Sequence, residues 1–181
     1  LNNIYVKSLR VDEMVSFLFE YVKLQSDGFK LARKNQDLSE VLRENVAMLY
    51  MDFENKDIEL NVEIPEKPIY AYIDRIQISR AITNILNNSL KHNESGDSVY
   101  IKLKRVDDIE IIIADNGKQI EEDIAKTIFE PFSMGDASRN SKNGSGLGLS
   151  IAYKIVKLHN GSLELNRIPT KDYTKSFVIH L

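Results

Sequence analysis

Apolar residues recur along this chain with two different periods, and the switches between them mark out its elements. Residues 1–23 carry Ile4, Val11, Met14, Val15, Leu18 and Val22 on one helical face, and Phe17, Phe19 and Tyr21 make the other faces apolar as well. Such a helix needs a partner, either the rest of the chain or a second copy, and the pattern does not choose between them. Gln25, Ser26, Asp27 and Gly28 signal a turn, and residues 29–35 read as irregular or a short strand. Asp37 followed by Glu40 has the form of a capping box. It opens a helix over residues 38–54 through Leu38, Val41, Leu42, Val46, Leu49 and Tyr50.

The period then shortens. Residues 58–64 and 69–73 alternate as half-buried strands, with Pro65 and Pro68 between them. Asp74 caps a second long helix built on Ile76, Ile78, Ala81, Ile82, Ile85, Leu86 and Leu90. Residues 99–106 and 109–114 read as a hairpin turning at Asp107 and Asp108. A short helix over 121–128, a Ser/Asn/Gly-rich loop over 133–146, a helix over 147–159 and strands over 161–166 and 174–181 complete the chain. Helices and strands mix without a strict βαβ repeat, which predicts an α+β two-layer sandwich: a mixed sheet covered by helices on one face, with an N-terminal helical segment.

Composition narrows the class. The chain has 181 residues, 43% hydrophobic and 28% charged, enough for one domain plus an appendage. A net charge of −3 without a long basic block gives no reason to expect nucleic acid as a partner. Without cysteine there are no disulfides and no thiolate metal sites. No apolar run approaches the ~20 residues of a membrane span, and Leu1 reads as mid-helix, as in a piece of something longer.

Four local patterns carry candidate chemistry. Asn84, Asn88 and Lys91 fall on one face of the second long helix. An amide oxygen there can ligate Mg²⁺ and the lysine can meet a phosphate, or the face is simply the wet side of a surface helix. Asp115, Asn116 and Gly117 end an apolar strand, where a carboxylate can accept from an exocyclic amine and glycine allows a planar ligand close approach. The same residues also make a common turn. Phe129, Glu130, Pro131 and Phe132 bracket a stiff bend that can anchor the polar loop to the core. Gly144, Ser145, Gly146, Leu147, Gly148 and Leu149 place alternating glycines where a helix begins, which suits an anion such as a triphosphate. No Gly-Lys-Ser/Thr follows, so this is not a Walker A loop.

Together and in this order the four patterns resemble the N, G1, F and G2 boxes of the GHKL, or Bergerat-fold, ATPases, in the histidine kinase branch, over residues 37–181. The resemblance implies that the chain binds ATP with Mg²⁺ and donates the γ-phosphoryl group to a histidine in two-component signalling. Asn84, Asn88 and Lys91 would be catalytic, with Asn88 the Mg²⁺ ligand. His92 would lie beside the nucleotide. Asp115 would read the adenine amine, and Gly117 and Ile120 would shape its pocket. Residues 133–143 would form a lid holding Arg139, anchored by Phe129 and Phe132, and Gly144, Ser145, Gly146, Leu147, Gly148 and Leu149 would cradle phosphates.

Residues 1–30 would then end a dimerisation region and 31–181 form the ATP-binding domain. None of the three histidines sits in a phosphoacceptor motif, so the acceptor would be a helical domain supplied in cis or in trans. Further implied partners are ADP, a cognate response regulator and a second copy in a homodimer. The implied location is the cytoplasmic side of a bacterial inner-membrane sensor. Gln119 replaces the second glycine of the G1 box, and Thr174-Lys175-Ser176 replaces the usual Gly-Thr opening of the last strand. These departures leave room for a nucleotide-sensing or docking module without kinase activity. Asn84 stands where water-activating members carry glutamate, and an amide is a poor base, which fits transfer rather than hydrolysis.

Overall fold

The computed structural model describes residues 2–26, 28–133 and 146–181, with side chains from residue 11 onward except residue 13. The predicted lid, with Arg139, Gly144 and Ser145, therefore lies largely outside the described residues. Helix α1 (Asn2–Gln25) leads to strand β1 (Lys34–Asp37) and helix α2 (Leu38–Asn55). Strands β2 (Glu59–Glu63) and β3 (Tyr70–Ile73) precede helix α3 (Arg75–His92), and the hairpin β4 (Ser98–Arg105) and β5 (Ile109–Asp115) follows. Helices α4 (Glu122–Thr127) and α5 (Gly148–Leu158) and strands β6 (Ser162–Asn166) and β7 (Lys175–His180) complete the order.

Alternation decides the main sheet. Val99, Ile101 and Leu103 of β4, Ile109, Ile111 and Ile113 of β5, and Phe177 and Ile179 of β7 point to one face and are buried. Each such side chain contributes about 1.5–3 kcal/mol. The intervening residues stay half-exposed and pair across strands, as Lys104 does with Glu110 at 2.8 Å. The order is β2-β4-β5-β7-β6, with β2 parallel to β4 and the other neighbours antiparallel. Helices α2, α3 and α5 cover the apolar face, giving the two-layer architecture expected.

One difference is that β3 leaves the main sheet and pairs antiparallel with β1 in a separate two-stranded sheet. Residues 29–33 are irregular, and the strand begins only at Lys34.

The caps fix where the helices start. Asp74 accepts from the Gln77 amide at 3.2 Å and from the Ala32 amide at 2.9 Å. Asp37 accepts from the Ser39 and Glu40 amides at 2.9 and 3.2 Å. The return arm of the capping box does not form, because Glu40 pairs with Arg75 at 3.1 Å instead. Two long-range ties align the layers. Asn45 of α2 accepts from Ser79 at 3.0 Å and Thr83 at 2.6 Å of α3. The Asp74 amide donates to His159 Nε2 at 3.0 Å, which requires the proton on Nδ1, where it is shared with the Ile155 carbonyl at 2.8 Å. Burial lowers the His159 pKa, and Arg33 adds to that.

Helix α1 presents two faces. Phe17, Tyr21 and Leu24 pack on the domain, and Glu20 pairs with Arg80 of α3. Val11, Met14, Val15, Leu18, Phe19 and Val22 are exposed. Among the described residues, no helix is long and apolar enough to cross a membrane.

Candidate functional site

The site lies along α3, and its two ends are set by different neighbours. At the first end, α3 packs on α5. A Cβ built at Gly148 would meet only the Asn84 side chain, at 3.8–3.9 Å, so any larger residue there would fill the space between the two helices. The Asn84 amide nitrogen is buried without a hydrogen-bond partner. No side chain caps the start of α5, so its first-turn amides offer an anion site. Leu147 is fully buried and Leu149 packs partly buried on the core, so both would face a phosphate through backbone alone.

One turn along, Asn88 is half-buried and its side chain makes no hydrogen bond among the described residues. Lys91 follows, also half-buried, and burial lowers its pKa. Among the described residues its ammonium has no carboxylate partner. A half-desolvated cation on the same face as two under-used amides fits an anion with a divalent metal, the donor set a Mg²⁺–phosphate group takes.

His92 ends the helix. It keeps an exposed edge, yet the protein around the rest of the ring, and then the cations of Lys91, Lys175 and Lys56, push its pKa down to about 4. Lys56 closes the helix end by donating to the carbonyls of Leu90 and Asn93, both at 2.6 Å. From Asn84 to His92 the face rises about 12 Å.

At the second end stands Asp115, the last residue of β5. Its Oδ1 accepts from Lys175 Nζ and, at 3.2 Å, from the Gly117 amide. The Asp115 and Lys175 side chains are 2% and 3% exposed, and Lys175 also donates to the Lys118 carbonyl at 2.8 Å. Thr174 Oγ1 donates to the Gly117 carbonyl at 2.7 Å. Gly117 is required by crowding, since a Cβ there would fall 1.8 Å from Asn93 Oδ1. Gln119, in place of the second glycine, donates to the carbonyls of Arg167 at 3.0 Å and Thr174 at 2.9 Å, tying the turn to the β6–β7 connection. Ile120 packs partly buried against the core beside it.

The bend before the predicted lid is anchored by one aromatic, not two. Phe129 stacks on Tyr153 at 5.2 Å and meets Phe177 edge-on at 6.3 Å. Phe132 is 52% exposed and sits at φ 62°, so it anchors through its backbone, donating to the Gly146 carbonyl at 3.1 Å.

The structure thus brings Asn84, Asn88, Lys91, His92, Gly148 and Asp115 onto one track. Sequence reasoning singled out neither Lys175 as the partner of Asp115 nor Asn93 as the reason for Gly117. Strand parity could have found Lys175, because Phe177 and Ile179 face the core and residue 175 shares their side.

Comparison with known proteins fits this geometry. The model of the Histidine kinase-, DNA gyrase B-, and HSP90-like ATPase family matches residues 73–181, and the chain belongs to that family. Its relatives place it in the histidine kinase branch. It is 31% identical over 179 residues to sensor protein GtcS of Aneurinibacillus migulanus, covering 98% of this chain and 48% of that one. It is 27% identical over 176 residues to sensor protein VanSC of Enterococcus gallinarum, covering 97% and 48%. The chain thus spans about half the length of these relatives. Among solved structures, the mycobacterial sensor histidine kinase MprB superposes with a TM-score of 0.69 at 29% identity, covering 82% of this chain and 97% of that one. The Acinetobacter baumannii histidine kinase AdeS shares the fold at a TM-score of 0.77 and 17% identity, covering 99% of this chain and 82% of that one.

Proposed function

We propose that this chain binds ATP with Mg²⁺ along the α3 track and presents the γ-phosphoryl group to a histidine on a helical acceptor domain, in cis or in trans. The observation that carries the reading is the run of under-used groups on α3. The unpartnered Asn84 amide lies against Gly148 at the uncapped start of α5, and Asn88 and Lys91 follow on the same face. In this reading Asp115 holds the base, His92 and Lys91 flank the phosphates, and Asn88 contributes an amide oxygen to Mg²⁺. The metal would neutralise charge on the phosphates. Gly146, with its φ of 69°, and Gly148 bring backbone close to the anion.

Asn84 holds no carboxylate against the terminal phosphate, so the chain lacks a strong base for water there. Its contribution to transfer is placement and charge stabilisation. Residues 134–145, with Arg139, Gly144 and Ser145, would contribute a lid over the nucleotide. The division at residue 30 assigns α1 to a dimerisation region, and the exposed stripe of α1 suits a second copy. The solved complex of histidine kinase ThkA with response regulator protein TrrA supports a response regulator as a further partner. Its relatives among bacterial sensor proteins support a cytoplasmic position behind a membrane sensor.

The test is titration with ADP and a non-hydrolysable ATP analogue, with and without Mg²⁺, followed by addition of ATP and a separate helical acceptor domain. Magnesium-dependent binding and an acid-labile phosphoprotein are expected. Acid-stable phosphate would indicate a serine kinase, and no binding up to millimolar nucleotide would overturn the reading.

A further inference from the structure

We propose that Lys175 is a base-reading residue that makes this pocket tolerant of guanine as well as adenine. The inference rests on the nucleotide reading of the same site. Asp115 Oδ1 is taken by Lys175 and by the Gly117 amide, while Oδ2 accepts from none of the described residues. The Lys175 ammonium has three N–H groups. One goes to Asp115 and one to the Lys118 carbonyl, which leaves the third for a ligand. A carboxylate alone offers a base edge only acceptors. It suits the adenine amine and repels the guanine O6.

A carboxylate with an ammonium bound to it offers an acceptor beside a donor. Adenine meets that pattern with its amine on Asp115 and its ring N1 on Lys175. Guanine meets it with N1–H on Asp115 and O6 on Lys175. The burial of both side chains makes the pattern rigid, and the Thr174 hydroxyl, bound to the Gly117 carbonyl, holds the strand end in register. Removing the ammonium would leave O6 facing a carboxylate.

The experiment compares the dissociation constants of ADP and GDP, both with Mg²⁺, for the native chain and for Lys175→Met. The ADP-over-GDP preference is expected to widen at least fivefold in the variant, chiefly through loss of GDP. A smaller change overturns the proposal. A second measurement needs only the native chain: 1-deaza-ADP, with C–H in place of the ring N1, is expected to bind at least fivefold more weakly than ADP. Equal binding overturns the proposal even if Lys175→Met fails to fold. Absence of binding by both ADP and GDP overturns the nucleotide reading and this proposal with it. Clear ADP binding with an unchanged preference overturns this proposal alone.

Discussion

Replacing Gly117 by alanine tests how the base end of the site is held. The added methyl would sit 1.8 Å from Asn93 Oδ1, 3.0 Å from Asn93 Cγ and 3.2 Å from Asp97 Oδ2. Ordinary contact begins near 3.4 Å, so the Asn93 amide has to withdraw by roughly 1.6 Å. Its backbone is pinned, with N–H on the Ser89 carbonyl at 3.0 Å and C=O on Lys56 at 2.6 Å. The amide itself has no hydrogen bond to lose, but at 1% exposure it has little space to enter. Overpacking of this kind costs about 1–3 kcal/mol, which lowers the melting temperature of a domain this size by about 2–4 °C per kcal/mol. Urea unfolding followed by circular dichroism measures it. Asn93→Ala removes the opposing atoms, so the double variant is expected to recover most of the loss, with a coupling of about 1 kcal/mol or more. A Gly117→Ala protein within about 0.5 kcal/mol of native, as for a neutral surface change, would refute the reasoning.

Asp115→Asn leaves the buried Lys175 ammonium without its anion. A loss of about 3–5 kcal/mol in urea unfolding is expected, with partial recovery in Asp115→Asn/Lys175→Met. A single variant as stable as native would mean that the pair contributes nothing to folding. Asn88→Ala should weaken nucleotide binding with Mg²⁺ by at least tenfold and leave Mg²⁺-free binding nearly unchanged. Equal affinity with Mg²⁺ would remove Asn88 as a ligand. The pKa of His159 is lowered mainly by burial, so below about pH 6.5 the unfolded chain takes up a proton that the folded chain resists. Stability should be full above that pH and fall as the pH drops towards the folded value. His92, whose pKa is pushed down to about 4, acts in the same direction. His159→Gln should flatten the slope between pH 6.5 and pH 5 in urea unfolding, and an unchanged slope would assign the effect elsewhere.

Most of the fold was legible because its signals are local. Asp74 caps α3 from the position its sequence implies, and the alternation of Val99, Ile101 and Leu103 against Ile109, Ile111 and Ile113 carries the central hairpin. The pairing of β1 with β3 depends on residues more than thirty positions apart, which no local pattern encodes. Glu40 illustrates the same limit, since its local cap competes with Arg75, delivered by another helix, and the ion pair forms. In the site, the helix face of Asn84, Asn88 and Lys91 follows from helical spacing alone. The departures Gln119 and Lys175 were visible as residues, but their roles depend on what lies opposite them: the Arg167 and Thr174 carbonyls for one, and Asp115 for the other.

The bond from the Phe132 amide to the Gly146 carbonyl has an evolutionary consequence. Both residues adopt left-handed backbone, at φ 62° and 69°, so the chain turns sharply at departure and at return. With those two points clasped and Phe129 wedged between Tyr153 and Phe177, the domain does not depend on the length of what connects them. Doubling that length would add only about 0.6 kcal/mol of closure entropy. Insertions, deletions and wholesale sequence replacement can accumulate there while α5 keeps its place, so the segment is free to diverge with each protein's own demands.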